Sequence, residues 1–144
     1  RARVAVIGRK PGTHVLRPLS PEHPKDETFE GLLIVRPLAR LFFVNAQNVQ
    51  EQIGALVSQY RPRILALDLS RVTDIEYSAL QALMDGELQA VESGAEVWLA
   101  GLNPGVLEVV RNAGFDKHLG PDHILPNADA VVDRYLALGM AASA

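Results

Sequence analysis

The sequence predicts an α/β domain built on a mainly parallel sheet, and three observations carry that prediction. Short β-branched or apolar runs alternate with amphipathic repeats of helical spacing through most of the chain. At 144 residues with 48% hydrophobic content there is room for one sizeable core but not for two ordinary domains. The 22% charged content, spread among apolar residues, belongs to a chain that folds. The expected domain takes in residues 1–139, with 140–144 a frayed tail, and no internal repeat or low-complexity tract interrupts it.

Val4 to Ile7 reads as a first strand, stopped by Gly8 and followed by the turn chemistry of Lys10-Pro11-Gly12. From Pro18 to Glu30 the chain carries three prolines and five charged residues, so it reads as an exposed loop of nearly the greatest length compact domains use. Gly31 to Arg36 is a strongly apolar strand, and Leu41 to Val44 is expected to be another, with Pro37 between them at a strand end or edge. After Asn45 as cap, Val49, Ile53, Leu56 and Tyr60 recur with helical spacing until Pro62. Ile64 to Leu69 is a central strand buried on both faces, with Asp68 at its end. Leu80, Leu83, Met84, Leu88 and Val91 mark the next helix, which Gly94 stops. Val97 to Ala100 is a strand. Asn103-Pro104 opens a further helix, with Val106, Val109, Val110 and Ala113 as its apolar stripe. A short extended piece at His123 to Leu125 precedes the last helix, Ala128 to Leu138, with Val131, Val132, Tyr135 and Leu136 inward. Strand and helix alternate from Leu41 onward, so right-handed crossovers give parallel pairing, while the opening strands pair as a long-looped hairpin.

Composition excludes several functions. A formal net charge of −3 lacks the basic surplus of a general nucleic-acid binder. The absence of cysteine removes disulfides, thiolate metal sites and cysteine nucleophiles. No run approaches the roughly 18–20 apolar residues of a spanning helix; Gly31 to Ala46 comes nearest and is broken by Arg36, Pro37 and Arg40. The chain begins at Arg1 with no signal peptide or lipidation motif, which reads as a segment of a longer protein.

Polar residues with chemical capacity concentrate between Asp68 and Leu80, where a buried strand ends and Ser78 stands at a helix start. An anion there is favoured by helix amides and dipole, by about 0.3–1 kcal/mol when exposed. The same pattern arises if Ser78, Asp74 and Thr73 simply satisfy backbone donors. Asp74 and Glu76 oppose a phosphoserine at Ser78, each repelling it by up to about 1 kcal/mol at close range. Asp68, Asp74 and Glu76 cluster, but no basic residue completes an acid/base set, and no glycine-rich phosphate loop or nucleophile elbow occurs. His14, His23, His118 and His123 show no helical pairing with a carboxylate of the kind metal sites use. The residues thus predict no enzyme and no metal, cofactor or catalytic site; Asp74, Glu76, Ser78 and Asn103, at two helix starts, are the candidate contact residues. Arg36 and Arg40 are expected to face solvent or to pair with acidic neighbours. Phe42 and Phe43 would face opposite sides of a strand, with one of them in the core.

Four segments resemble the C-terminal STAS domain (sulfate transporter and anti-sigma factor antagonist) of SulP-type anion transporters. They are Gly8-Arg-Lys-Pro-Gly-Thr13 with His23-Pro24; Gly31-Leu-Leu-Ile-Val-Arg36 followed by Leu41-Phe-Phe-Val-Asn-Ala46; Asp68-Leu-Ser70 with Val72, Ile75, Ser78 and Ala79; and Gly101-Leu-Asn-Pro104 with Val106 and Gly114. Ser78 matches the serine phosphorylated in anti-sigma antagonists. Glu76, Tyr77, Leu38 and Arg40 depart from the family pattern, which has aspartate, a small hydroxyl residue, aspartate and proline there. The resemblance implies a mixed, mostly parallel sheet of four or five strands with four helices mainly on one face. It also implies a regulatory or interaction domain at the cytoplasmic face of the cell membrane, joined to a transmembrane domain that moves sulfate, bicarbonate or dicarboxylates. Its implied partners are that membrane domain, a second STAS domain in a dimer, cytosolic regulatory proteins and, weakly, a nucleotide. The alternative is a free anti-sigma-antagonist-like protein switched by phosphorylation at Ser78.

Overall fold

In the computed structural model, which describes residues 3–139, β1 (Val4–Arg9) and β2 (Leu16–Pro18) form an antiparallel edge hairpin with Gly8 opposite Arg17. The tail expected at 140–144 lies outside the described residues. β3 (Leu32–Pro37) lies antiparallel to β1, and then β4 (Ile64–Asp68), β5 (Glu96–Ala100) and β6 (Ile124–Leu125) follow in parallel, in the order β2-β1-β3-β4-β5-β6. Six strands thus replace the four or five expected. β6 falls on the short extended piece expected at His123 to Leu125, whereas β2, three residues long, is too short to leave a periodic signal.

The strand expected at Leu41 to Val44 is not formed. Leu41 makes a single parallel bridge to Ile75, and the chain then enters α1 (Phe43–Tyr60). Asn45 is the reason: inside the first turn, its carboxamide oxygen accepts from the Phe42 N–H at 2.9 Å and its nitrogen donates to the Arg40 carbonyl at 2.8 Å. It therefore caps from within, and the helix starts before it. α2 (Tyr77–Glu92), α3 (Pro104–Asn112), the short α4 (Phe115–Leu119) and α5 (Ala128–Ala137) complete the chain. α4, five residues long, was beyond the reach of periodicity.

Alternate residues of β3, β4 and β5 feed two cores. Leu33, Val35, Leu65, Leu67, Val97 and Leu99 pack under α1 to α4, whereas Leu32, Ile34, Ile64, Ala66, Trp98 and Ala100 pack under α5 alone. Among the described residues four helices lie on one face and one on the other, so the helices do sit mainly on one face as expected, and the short α4 adds a fifth to the expected four. The apolar stripes are also narrower than predicted. Tyr60, Leu88, Val91 and Leu136 are exposed, and Glu87 takes a buried place on α2 with its carboxylate 3.0 Å from His118 Nε2. The Phe42 side chain is exposed, and that of Phe43 lies outside the described residues.

The loop from Pro18 to Glu30 is tied down. Arg17 grips Asp26 through Nε and a terminal nitrogen at 2.7 and 2.8 Å, and Glu27 exchanges backbone hydrogen bonds with Arg9 at 2.8 and 2.9 Å. The hydrogen bonds from Arg17, reinforced by its positive charge, hold the Asp26 carboxyl below its ordinary value against the opposing effect of burial. At the start of β3 the buried Tyr135 hydroxyl of α5 donates to the Glu30 carbonyl, and burial pushes the phenol above its usual range. Gly31, at φ 84°, leaves the room for it, since a Cβ there would collide with the Tyr135 hydroxyl and lie 3.2 Å from Arg63 Nε.

Gly31→Ala should therefore destabilise the domain by about 1–3 kcal/mol in urea unfolding. Gly54→Ala, in α1 with nothing within 4 Å of the added Cβ, should be neutral or stabilising. Because the folded state lowers the Asp26 pKa, the unfolded chain binds more protons just below the ordinary aspartate value of about 3.9. The stabilisation is complete above that pH and is lost as pH falls through the folded value. Asp26→Asn should accordingly flatten the loss of unfolding free energy measured between about pH 5 and pH 3.

Candidate functional site

β3, β4 and β5 run the same way, so the segments leaving them, residues 38–42, 69–76 and 101–103, gather at one end of the sheet with the N-termini of α1, α2 and α3. Backbone bonds knit the first two segments: Leu41 N–H donates to the Asp74 carbonyl at 3.2 Å, and Glu76 N–H to the Leu41 carbonyl at 3.0 Å. Asn103 joins the third, donating to the Thr73 carbonyl at 3.0 Å while its Oδ1 accepts from Val106 N–H at 2.8 Å. All four predicted contact residues thus lie at one end of the sheet, but Asn103 acts as a cap and staple.

Asp68 leaves the predicted acidic cluster. Its position in β4 points it to the α5 face, where Oδ2 accepts from Arg36 Nε at 2.8 Å and Oδ1 from Ser70 N–H at 3.0 Å. Its side chain is 2% exposed and that of Arg36 13%, so the arginine takes the acid-paired alternative of its two expected placements. Gly101, at φ 71°, lets the chain pass close by, since a Cβ there would lie 3.1 Å from Asp68 Oδ1.

On the outer rim, Arg40 Nε stands 3.9 Å from Asp74 Oδ2, and both side chains are mostly exposed. Such a pair contributes no more than about 1 kcal/mol. Glu76 is the N-cap residue of α2, and Ser78 is exposed at the second helical position. Tyr77, 58% exposed, accepts at its hydroxyl from Gln81 Nε2 at 2.7 Å. The Leu41–Ile75 bridge sets Phe42, 37% exposed, beside Glu76, and Val44 stands 86% exposed in the first turn of α1. This end therefore offers apolar side chains rimmed by both signs of charge, the composition of a contact surface. Val44 was legible in principle, because it lies well off the Val49–Ile53 stripe once the helix is begun at Phe43.

Together these elements make an α/β module whose candidate contact end is built of loops and helix starts. Residues 23–130 match the STAS domain family, and the chain belongs to it. It is 35% identical, over 91% of its length and 21% of the relative's, to "High affinity sulfate transporter 2" of Stylosanthes hamata. It is 29% identical to "Sulfate transporter 1.3" of Arabidopsis thaliana, over 92% of this chain and 22% of that one. The chain thus spans about a fifth of the length of the curated relatives it matches. Among solved structures, the murine Solute Carrier 26 family member A9 anion transporter in its inward-facing state aligns with a TM-score of 0.79 at 18% identity, over 92% of this chain and 22% of that one. The SulP transporter STAS domain of Vibrio cholerae aligns at 0.68 with 22% identity, over 83% and 92%. The anti-sigma factor antagonist SpoIIAA in its unphosphorylated form aligns at 0.62 with 14% identity, over 77% and 93%. These three likenesses concern the fold. Among the described residues, no helix is long and apolar enough to cross a membrane.

Removing one partner of the Arg36–Asp68 pair strands the other in a nearly dry site. Asp68→Ala should cost about 3 kcal/mol of unfolding free energy, and the double change Arg36→Met with Asp68→Leu should recover most of it.

Proposed function

We propose that this domain is the cytosolic regulatory and interaction part of a SulP-type anion transporter, joined in one polypeptide to a transmembrane domain. The observation that carries the reading is the mismatch of lengths: the likeness to sulfate transporters takes in 91% of this chain and 21% of the relative. A domain so placed works at the cytoplasmic face of the membrane, and its partners are the membrane domain, a second STAS domain or cytosolic proteins. The surface around Phe42, Val44 and Tyr77 supports a role in contact. The role carries no catalytic step.

A second reading, a phosphorylation switch at Ser78, is favoured by the exposure of that serine at the start of α2. Asp74 and Glu76 nearby weigh against it, since they repel the added dianion.

The test replaces the matching region of the Stylosanthes sulfate transporter with residues 1–144 and measures sulfate uptake in yeast lacking its own. The chimera should exceed the transporter truncated before this region. Phe42→Asp with Val44→Asp should reduce uptake without lowering the unfolding midpoint of the domain, and Ser78→Ala should leave uptake unchanged. A chimera present at the membrane yet no more active than the truncated transporter would overturn the proposal, and loss of uptake on Ser78→Ala would favour the switch.

A further inference from the structure

On the α5 face, away from the contact surface, three side chains converge. His14 stands in the turn between β1 and β2, and Asp129 and Asp133 stand one turn apart on α5. His14 Nδ1 lies 3.1 and 3.0 Å from the two carboxylate oxygens of Asp129, and one donor atom from each of the three residues lies within 4.8 Å of the others. Ligands held about 2.0–2.2 Å from one ion are separated by about 3–4 Å. An adjustment of under about 1 Å would therefore close the set, and the exposed side chains of His14 and Asp133 leave freedom for it.

Charge points the same way. Carboxylates at i and i+4 repel each other by about 0.2–0.5 kcal/mol on a helix. Among the described residues, Asp133 has no ion-pair partner, and Asp129 has only His14. Arg36 borders the same cleft, but its guanidinium is engaged by Asp68. Two carboxylates one turn apart, met by a single imidazole from the facing turn, are a cation's environment. One nitrogen and two oxygen donors suit a borderline divalent ion better than calcium or magnesium, which prefer oxygen throughout.

We propose that His14, Asp129 and Asp133 form a binding site for a divalent transition-metal ion of the manganese-to-zinc class, with water in the remaining positions. The ion joins the edge hairpin to α5, linking residues 115 positions apart. Binding requires the folded arrangement, so the ion stabilises it. Histidine spacing along the sequence pointed away from any metal because the imidazole and the carboxylates come from opposite ends of the chain.

The test is calorimetric titration of the 144-residue chain with zinc chloride in chelator-free buffer, alongside thermal unfolding with and without about a hundredfold excess of ion. One equivalent should bind and raise the unfolding midpoint. His14→Ala and Asp133→Asn should each weaken binding by roughly tenfold or more and abolish the rise, with folding checked by circular dichroism. His118→Ala, remote from the cluster, should change neither. Manganese should selectively broaden the amide resonances of residues 14 and 133. Absence of binding, or binding unchanged by both His14→Ala and Asp133→Asn, would overturn the site.

Discussion

Every residue of β4 is buried, and this constraint organises the rest of the domain. Ile64, Ala66 and Asp68 face α5, while Leu65 and Leu67 face α1 to α4, so neither layer of helices can be absent. Full burial of an isoleucine or leucine stabilises by about 1.5–3 kcal/mol, and the strand collects this on both sides. Covering both faces of neighbouring parallel strands requires crossover helices, and crossovers deliver their loops and helix N-termini to one end of the sheet. The candidate contact surface is thus a consequence of how β4 is buried.

The same constraint explains where the polar residues of that end diverge. Asp68 closes a strand with no exposed position, so its charge has to be met inside, and Arg36, Ser70 N–H and the absence of a Cβ at Gly101 meet it. Asn103 is drawn into the fold as well, because α3 needs a cap where its loop crosses Thr73. What stays exposed at that end is Asp74, Glu76, Ser78 and the side chains of Phe42, Val44 and Tyr77.

The two faces of the sheet are also chemically distinct. The face under α1 to α4 ends in the mixed apolar and charged rim, whereas the α5 face ends in the cleft bordered by His14, Arg36, Asp68 and Asp129. Alternation along β4 turns Asp68 to the α5 face, whereas Asp74 lies in the segment that carries the chain from β4 to α2, so two acids close in sequence stand in different environments.

Much of this was legible in the residues alone. The alternation of apolar runs and helical repeats determined an α/β domain with β4 and β5 parallel, β1 and β3 antiparallel, and four of the five described helices; it put the strand that precedes β4 in the parallel set at Leu41 to Val44, a place that β3 takes instead. The Asp68 to Leu80 segment located the end of the sheet where Asp74, Glu76 and Ser78 lie. Local patterning suffices there because burial on a strand or helix is written in periods of two or 3.6 residues. Only the tertiary structure decided that Leu41 to Val44 enters a helix, since a four-residue apolar run suits either state until Asn45 closes back on Phe42. It alone decided that Asp68 pairs with Arg36, that Tyr135 reaches the Glu30 carbonyl, and that His14 meets Asp129. Each of those contacts joins residues far apart in the chain, and their meeting depends on strand order and helix placement, which no local period encodes.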